Sequence, residues 1–392
     1  MSMGAVAAVV VGYGQRVRVV VTGASGNVGT AVLGALAAEP SVSSVVAVAR
    51  RLPDPERWSG LSVEWKAADV AASDLAPVMD GADAVVHLAW LIQPSRRRSL
   101  MDRVNVEGTR RVLDAAVASA CQKVVVASSV GAYSPGPKDR QVDESWPTGG
   151  IATSTYSVEK AKVERLLDRF EAEHPSVSVV RLRPALIFQR EAASEIARLF
   201  LGPLVPTAIL RPGLLRVLPA VPGLRTQVVH ADDVADAYRR AVLSDVRGAF
   251  NVAADPVLDA RMVAEAWKAR TVPVPARLVR AAADVAWRLH LVPADAGWVD
   301  LGLETPLLDT GRARRELGWQ PGRGALSVLE ELLSGLVAGD AVPTPPLAGG
   351  RRSGVTTDAT PGTSNPSGAW LRRPDSDHHQ GHPGSTTDSA SR

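Results

Sequence analysis

A glycine-rich turn joins a buried strand to a helix near the start of the chain and restricts its possible folds more than any other segment. The apolar, β-branched run Val17–Val21 predicts a strand, and Val28–Ala38 has helical periodicity. Between them lie Gly23, Gly26 and Gly29. Such a turn lets the backbone approach a pyrophosphate, while the helix N-terminus supplies free N–H groups. We predict a phosphate-binding turn that opens a βαβ unit, although a turn that merely ends a strand has a similar composition.

Strand and helix patterns alternate from this turn as far as Leu182. The predicted strands are nearly continuous apolar runs, as expected for strands buried on both faces of a parallel sheet. They are Val17–Val21, Val45–Ala49, Val63–Trp65, Ala84–Leu88, Lys123–Ala127 and Ser178–Leu182. The predicted helices are Val28–Ala38, Leu75–Met79, Val104–Ala120 and Thr155–Glu173. This alternation predicts an α/β fold of the Rossmann type, with a doubly wound parallel sheet.

Composition and periodicity separate a dinucleotide-binding domain from a smaller, mostly helical C-terminal substrate lobe. The domain takes residues 16–183, and residues 226–255 return to it with a strand, a helix and a second strand. The lobe takes residues 184–225 and 256–340. Its predicted helices are Ala260–Ala269, Ala276–His290 and Ala325–Leu336.

Composition also limits the location and the partners of the protein. The apolar N-terminal extension, residues 1–15, has no basic residue before its apolar run, so we predict no signal peptide. Prolines and arginines interrupt Leu199–Leu224, so we predict no membrane span. A net charge of +3 from 44 basic and 41 acidic residues is too even to predict nucleic-acid binding. The single cysteine, Cys121, excludes an intramolecular disulfide, and a reducing cytoplasm fits.

The histidines do not predict a metal site. His87 lies in a predicted buried strand, where a hydrogen-bonded core histidine is the expected role. His378, His379 and His382 lie in residues 341–392, a tail rich in Pro, Gly, Ser and Thr. Such a tail cannot bury enough surface to offset its ordering entropy, so we predict disorder there, although a metal site is conceivable.

The candidates for catalysis are three residues that lie further along the chain than the glycine turn: Ser129, Tyr156 and Lys160. A free tyrosine titrates near pH 10, too high for a ready base. Lys160 lies one helical turn after Tyr156 on the same face, and a nearby cation is expected to lower the pKa of the phenol. Ser129, at a strand end, would hydrogen-bond the substrate oxygen. The same spacing would be found if Tyr156 and Lys160 were an ordinary amphipathic pair and Ser129 a turn residue. The position of these residues after a nucleotide-binding turn favours catalysis.

The order of these motifs resembles the extended short-chain dehydrogenase/reductase family, which contains nucleotide-sugar epimerases, dehydratases and related reductases. The resemblance covers roughly residues 16 to 335. Its landmarks are Gly23-x-x-Gly26-x-x-Gly29, Asp69-Val70, Val86-His87-Leu88-Ala89, Asn105–Thr109, Ser128-Ser129 with Tyr133, Tyr156-x-x-x-Lys160, Arg183-Pro184, His230–Val234, Asn251-Val252 and Leu317-Gly318-Trp319. It implies that Tyr156 is the acid/base and that Lys160 also binds the cofactor ribose. It further implies cofactor contacts from Gly23, Ala24, Ser25, Gly26, Asn27, Val28, Gly29, Asp69, Val70, Leu88, Ala89, Trp90, Asn105 and Pro184.

The end of the second predicted strand favours NADP over NAD. An NAD site places an acidic residue there to hold the ribose 2′-hydroxyl. This chain has Arg50 and Arg51 instead, and guanidinium groups suit a 2′-phosphate. Alternatively, Arg50 and Arg51 are surface arginines that do not contact the cofactor, and the site binds NAD. We predict NADP as the cofactor, with NAD possible.

Departures from the family pattern narrow the reaction. Val130 and Gly131 follow Ser129, where family dehydratases tend to place acids, so dehydration is disfavoured. The segments Ala185–Phe188 and Arg225–Val228 lack the family's nucleotide-sugar features, which puts a UDP-sugar substrate in doubt. The apolar stretch Leu199–Leu224 lines a pocket for a less polar substrate or only packs the lobe.

These observations predict an NAD(P)-dependent oxidoreductase or epimerase that acts on a carbonyl or alcohol carbon of a sugar or other small molecule. The alternative is a non-catalytic NADP-binding regulator on the same fold, since fold alone does not decide function. The helices Val104–Ala120 and Thr155–Glu173 correspond to the pair that relatives use for a dimer interface, so we predict a homodimer.

Overall fold

The computed structural model describes residues 16–54, 58, 62–93, 96–202, 210–340 and 344–347. Predictions for residues 1–15, for the segment 203–209 and for the three tail histidines fall outside the described residues. Within the tail, residues 344–347 form a turn, and the side chain of Leu347 in it is buried.

The described strands and helices follow the predicted alternation. The strands are β1 Val17–Thr22, β2 Val42–Ala49, β3 Val63–Ala67, β4 Ala84–His87, β5 Lys123–Ala127, β6 Gln141–Val142, β7 Ser178–Pro184, β8 Leu186–Phe188, β9 Val217–Ala220, β10 Arg225–His230, β11 Gly248–Val252, β12 Ala254–Asp259, β13 Arg270–Pro273 and β14 Leu307–Leu308. The α-helices are α1 Asn27–Ala37, α2 Ala76–Met79, α3 Arg98–Asp102, α4 Gly108–Ala118, α5 Thr155–Glu173, α6 Ala193–Ile196, α7 Ala231–Leu243, α8 Ala260–Trp267, α9 Ala276–Arg288, α10 Gly297–Glu304, α11 Gly311–Glu316 and α12 Ala325–Ala338.

Seven strands form one parallel sheet in the order β3-β2-β1-β4-β5-β7-β11. The predicted α/β fold of the Rossmann type is therefore confirmed. The chain reverses its direction of winding between β1 and β4. In an open sheet of this kind, ligands bind beyond the carboxyl ends of the strands at such a reversal.

Alternating side chains of β1 show why both faces of this sheet are covered. Val19 and Val21 lie in one buried cluster with Val32 of α1 and with α7. Val20 points the other way, into a cluster built with α4 and α5. Because both faces of a central strand are apolar, helices must cover both sides of the sheet.

The prediction of a single α-helix over Val104–Ala120 is wrong at its start. The chain is already helical in α3, passes through a π-helical segment at Arg103–Glu107 and continues as α4. Asn105 lies in this wide turn, and its side chain bonds the loop after β4. Wide turns of this kind are found most often at functional sites.

Three small sheets lie outside the main one, with strand orders β12-β10-β8, β13-β9 and β14-β6. Several of these strands were not predicted because they are short and carry prolines, such as Pro219, Pro256 and Pro273. Strand β11 returns to the main sheet beside β7. Among the described residues, no helix is long and apolar enough to cross a membrane.

Candidate active site

The glycine turn after β1 packs tightly against the end of β4. Gly23 has a φ of +72°, and a Cβ there would lie 2.5 Å from the backbone nitrogen of Ala89. A Cβ on Gly29 would lie 2.4 Å from the carbonyl oxygen of Gly23. Both positions therefore require glycine, one for its backbone conformation and both for close approach. The result is a narrow backbone cradle at the carboxyl edge of the sheet.

The N-terminus of α1 opens onto this cradle. Gly26 precedes the helix in an extended conformation, and among the described residues no side chain caps it. The first N–H groups of a helix that lack a capping side chain suit a phosphate. Asn27 is more constrained than the family resemblance implies, because Gln189 donates a 2.8 Å hydrogen bond to its Oδ1. The cradle therefore fits a dinucleotide phosphate mainly through backbone groups.

Other predicted cofactor residues lie along the same edge. Arg50 and Arg51 are exposed at the end of β2. Asp69 is partly buried, and one of its carboxylate oxygens accepts a 2.9 Å hydrogen bond from the backbone of Ala71. Val70 packs where α4 begins, since a Cβ on Gly108 would lie 2.9 Å from its Cγ2. Pro184 is buried at the end of β7.

Asn105 holds the loop after β4 and does not offer its amide to a ligand. Its Oδ1 accepts a hydrogen bond from the nitrogen of Leu91 at 2.7 Å, and its Nδ2 donates to the oxygen of Leu91 at 2.9 Å. The same nitrogen donates to Glu159 Oε2 at 2.6 Å. The side chain is fully buried, so it would act on a cofactor through the position of Leu88, Ala89 and Trp90.

Trp90, in this loop, is partly buried at the junction between the cradle and the chemical residues. Its indole Nε1 is buried and has no hydrogen-bond partner among the described residues. A buried donor without a partner is unfavourable by about 1–3 kcal/mol. A ligand bound at this edge would remove that cost if it accepted the bond.

The structure brings Ser129 and Tyr156 together. Ser129 follows β5 in extended conformation, and its Oγ accepts a 3.0 Å hydrogen bond from the nitrogen of Gly131. The Ser129 side chain lies close enough to the Tyr156 hydroxyl to lower the pKa of that hydroxyl. Gly131 makes this approach possible, because a Cβ there would lie 2.8 Å from Tyr156 Cε1. Tyr156 sits in the first turn of α5, which Ser154 caps and Ser157 ties to the oxygen of Gly131.

Lys160 lies one turn further along α5 and is buried. Its Nζ donates a 2.7 Å hydrogen bond to the oxygen of Ala127 and lies 3.4 Å from the ring centroid of Trp90. The ring centroid of Tyr156 is 5.8 Å away. Loss of solvation lowers the pKa of the Lys160 ammonium to about 7, although Glu164 and Glu159 oppose the shift.

The expectation that Lys160 lowers the pKa of Tyr156 is wrong for the protein alone. Burial raises the pKa of the Tyr156 hydroxyl to about 12, and the nearby Ser129 side chain offsets only part of that shift. Desolvation disfavours a phenolate, and a lysine that is itself half neutral near pH 7 gives little compensation. Tyr156 is therefore a protonated donor here.

A buried network on the next turn of α5 supports the site from behind. Glu164 accepts hydrogen bonds from Arg183 at 2.8 and 2.9 Å and from Ser128 at 2.5 Å. Arg183 also donates to Tyr133 Oη at 3.0 Å, and Tyr133 donates to Asn251 Oδ1 at 2.7 Å. Ser128, Tyr133, Arg183 and Asn251 are landmarks of the family resemblance, whereas Glu164 was not singled out from the sequence. The structure gives them a bonding role at the ends of β5, β7 and β11.

Three aromatic residues, Trp90, Trp298 and Phe200, form an aromatic wall beside Tyr156. Trp90 and Trp298 contact the Tyr156 ring, and Phe200 contacts Trp298. The sequence analysis did not assign Trp298 or Phe200 to the site. The ring centroids of Tyr156 and Trp298 are 5.1 Å apart, and those of Phe200 and Trp298 are 4.8 Å apart. The one available signal was the apolar stretch Leu199–Leu224, whose first residues include Phe200.

His87 has the structural role that was predicted. Its ring nitrogens bond Thr22 Oγ1 at 2.7 Å and Thr109 Oγ1 at 2.9 Å, and burial lowers its pKa to about 3. No group of His, Cys, Asp and Glu in the described part of the chain could hold a metal ion. A cavity of about 470 Å³ lies between α3 and α5 and is lined by Arg98, Asp102 and Lys162. Ser129 and Tyr156 are not among its lining residues.

Comparison with known proteins places these features in a family. An uncharacterized protein of Mycobacterium tuberculosis is 29% identical over 317 residues, which are 80% of this chain and 29% of that protein. This chain therefore spans less than a third of that relative's length. An NAD-dependent glucose-6-phosphate dehydrogenase of Haloferax volcanii is 32% identical over 202 residues, 46% of this chain and 72% of that protein.

Solved structures agree on the fold. The UDP-glucose-4-epimerase of Stenotrophomonas maltophila, with bound NAD and formylated UDP-arabinopyranose, superposes with a TM-score of 0.63 at 21% identity. The match covers 82% of this chain and 98% of that one. The model of the NAD dependent epimerase/dehydratase family matches residues 19–253, from the first strand of the main sheet to the end of its last. The chain belongs to this family.

Proposed function

We propose that this chain is an NAD(P)-dependent oxidoreductase or epimerase that acts at an alcohol or carbonyl carbon of a small molecule. The contact between Tyr156 and Ser129, with Lys160 one turn away, carries the proposal. When bound, the nicotinamide would exchange a hydride with that carbon. The chain supplies the proton transfer and the orientation.

Tyr156 is proposed as the acid/base. With its pKa raised to about 12 by burial, its hydroxyl holds a proton at neutral pH and can donate it to a forming alkoxide. Ser129 holds the same substrate oxygen and stabilises charge that develops on it. In the oxidative direction Tyr156 must accept a proton, and a charged Lys160 would then stabilise the phenolate.

Lys160 has a second proposed role, since its partners in the protein alone are a carbonyl and an aromatic face. A ribose hydroxyl would give the ammonium a further acceptor. Polar contact of this kind favours the charged form and raises the pKa of Lys160 again. Cofactor binding would thus prepare the cation that proton transfer requires.

Dehydration is not part of the proposal. Val130 is apolar, and any side chain at Gly131 would meet the ring of Tyr156. Neither of the two positions after Ser129 therefore carries an acid that could assist removal of a hydroxyl group. The regulator hypothesis is less well supported, because the chain keeps Ser129, Tyr156 and Lys160 together and its named relatives and neighbours are enzymes.

For the cofactor we propose NADP, with NAD possible, on the basis of the exposed guanidinium groups of Arg50 and Arg51. The structural neighbour was solved with NAD, so the preference needs a direct test. We also propose a homodimer through α4 and α5. Light scattering at micromolar concentration is expected to give twice the monomer mass, and a monomer mass would contradict it.

The proposed acid/base is tested by Tyr156→Phe. The variant is expected to bind NADP within a fewfold of the parent in calorimetry, because the proposed cofactor contacts lie mostly in Gly23–Gly29, Arg50 and Asp69. Turnover on an alcohol or ketone from a substrate panel is expected to fall at least about 100-fold, the lower end of what a positioned acid/base contributes.

Tyr133→Phe is the matched control. Tyr133 is also a buried tyrosine whose pKa burial raises to about 12, but it bonds Arg183 and Asn251 behind the site. This variant is expected to lose stability while its folded fraction keeps turnover. Near-parental turnover of Tyr156→Phe would show that Tyr156 is not the acid/base. Tight NADP binding without turnover on any panel substrate would favour the regulator.

A further inference from the structure

The substrate side of Tyr156 is lined by aromatic rings from two distant parts of the chain. Trp90 meets the Tyr156 ring edge-on, with centroids 6.0 Å apart and an interplanar angle of 75°. Trp298 lies nearly over the same ring, at 5.1 Å and 34°. Phe200 then meets Trp298 edge-on at 4.8 Å and 88°. Aromatic groups in these arrangements attract each other beyond their shared apolar area.

Helix α10 fixes Trp298 in place. A Cβ on Gly297 would lie 2.5 Å from the oxygen of Thr153, so α10 starts in direct contact with the segment that leads into α5. Asp300 on this helix accepts hydrogen bonds from Arg280 at 2.9 and 3.0 Å. Leu301, one turn after Trp298, points at Gly131 beside Ser129. The position of Trp298 in the wall is therefore fixed by the packing of α10.

Two cations beside α10 among the described residues, Lys138 and Arg225, are hydrogen-bonded to the protein itself. Lys138 Nζ donates to the carbonyl oxygens of Arg225 at 2.9 Å and Gly302 at 2.8 Å. Arg225 in return donates from Nη1 to the oxygen of Lys138 at 2.7 Å. Burial lowers the pKa of Lys138 to about 8. A nucleotide sugar brings a diphosphate that needs guanidinium or ammonium groups free to bind it.

We propose that the aromatic wall selects a flat, apolar alcohol or ketone, such as an aromatic or fused-ring compound, in place of a nucleotide sugar. The ring of the substrate packs against the edge-to-face pair of Trp298 and Phe200, and its single oxygen meets Ser129 and Tyr156. This inference rests on the proposed function for the identity of the reacting oxygen. Its stacking component is independent of turnover and is tested by binding alone.

The experiment compares two probes, a naphthyl methyl ketone and UDP-glucose, by calorimetry on the full chain saturated with NADP. The ketone is expected to bind at least about tenfold more tightly than UDP-glucose. Trp298→Ala is expected to weaken the ketone about tenfold, since loss of an aromatic stack and its buried area exceeds about 1.4 kcal/mol. Its NADP affinity is expected to stay within a fewfold, which also shows that the variant is folded.

Trp65→Ala is the matched control. Trp65 lies in the outer strand β3, and its ring centroid is 5.4 Å from that of Trp58. Removal of the Trp65 ring is expected to leave ketone binding unchanged. Phe200→Leu gives a second test if Trp298→Ala does not fold, and is expected to weaken the ketone severalfold. Tighter binding of UDP-glucose than of the ketone, or equal ketone binding by parent and Trp298→Ala, would overturn the inference. Neither result would bear on Tyr156, whose role is measured by turnover.

Discussion

Glu164 and Lys160 are buried charged residues one turn apart on α5, and they differ in how many charged or polar partners surround them. Glu164 accepts hydrogen bonds from Arg183, Arg181 and Ser128, all at 3.0 Å or less. Lys160 is equally enclosed, but its contacts are the oxygen of Ala127 and the face of Trp90. Burial works to raise the pKa of Glu164, yet Arg183 and Ser128 lower it to about 2. Burial lowers the pKa of Lys160 to about 7, and Glu164 and Glu159, which oppose the shift, restore it only in part.

The difference distinguishes Glu164, a charge that stabilises the fold, from Lys160, a charge that would be compensated only when a ligand binds. A buried ion pair with good geometry compensates its own desolvation, and removing one partner leaves the other charge unsatisfied. A buried charge with a strongly shifted pKa and incomplete partners is typical of a functional site. Substitutions of Glu164 and of Lys160 should therefore change stability in opposite directions.

The largest expected effect is a loss of stability in Glu164→Gln. The amide keeps the shape of the side chain but leaves the buried guanidinium groups of Arg181 and Arg183 without this countercharge. Breaking such a buried pair lowers the free energy of unfolding by about 3–5 kcal/mol. Denaturant unfolding at pH 7 measures it. Glu171→Gln is the control, because Glu171 is partly exposed and is one of three acidic partners of Arg181, so a change below about 1 kcal/mol is expected.

The pH dependence of Glu164→Gln sharpens the same test. The folded pKa of Glu164, about 2, lies below its ordinary value of 4.5, so its contribution is present above pH 4.5 and is lost as the pH falls towards 2. The parent is expected to lose stability across this window more steeply than Glu164→Gln. Parallel curves for the two proteins would show that Glu164 is not the compensated charge described here.

The second effect is a gain of stability in Lys160→Met. Between pH 7 and 10.5 the unfolded chain holds a proton on Lys160 that the folded chain gives up, so burial of this lysine destabilises the fold most at or below pH 7. A shift of one pKa unit corresponds to about 1.4 kcal/mol. After allowance for the lost contacts with Ala127 and Trp90, we expect Lys160→Met to gain about 2–4 kcal/mol at pH 7. The gain should vanish as the pH rises through 10.5.

Catalytic activity is expected to fall in the same variant that gains stability. Lys160→Met is expected to lose turnover and also to bind NADP more weakly, since the same amine is proposed to serve both. Lys162→Met is the control, because Lys162 is partly exposed and pairs with Asp102 on the surface of α5. It should change stability by less than about 0.5 kcal/mol. A Lys160→Met protein that is less stable than the parent at pH 7 would contradict the assignment of Lys160 as an uncompensated charge.

Local patterns in the sequence were enough for the sheet and for the cofactor edge. Lys123–Ala127 and Thr155–Glu173 were predicted with the bounds that the structure has, because an apolar run and a 3.6-residue period are properties of neighbouring residues. Gly23 and Gly29 were predicted at a tight turn for the same reason. The strands that carry Pro219 and Pro256 were missed, because short strands of small sheets have no such period.

Contacts between distant segments could not be predicted. Trp298 reaches Tyr156 only because α10 packs against Thr153, and nothing near Trp298 in the sequence indicates that approach. The direction of the Tyr156 pKa shift was wrong for a related reason. The spacing of Tyr156 and Lys160 reveals the nearby cation but not the burial, and burial is the larger influence on both groups.

The smallest expected effect concerns a third kind of charge, which is exposed to solvent and needs no buried partner. Arg50 and Arg51 lie in solvent at the end of β2, so their substitution should leave stability nearly unchanged, in contrast to Glu164 and Lys160. Their proposed partner is the 2′-phosphate that distinguishes NADPH from NADH. In calorimetry the parent is expected to prefer NADPH, and Arg50→Asp is expected to reduce the ratio of affinities about tenfold. The preference should weaken with added salt, because contacts between exposed charges are screened. Equal affinity of the parent for the two dinucleotides at low salt would show that Arg50 and Arg51 are surface residues only, and the cofactor proposal would then pass to NAD.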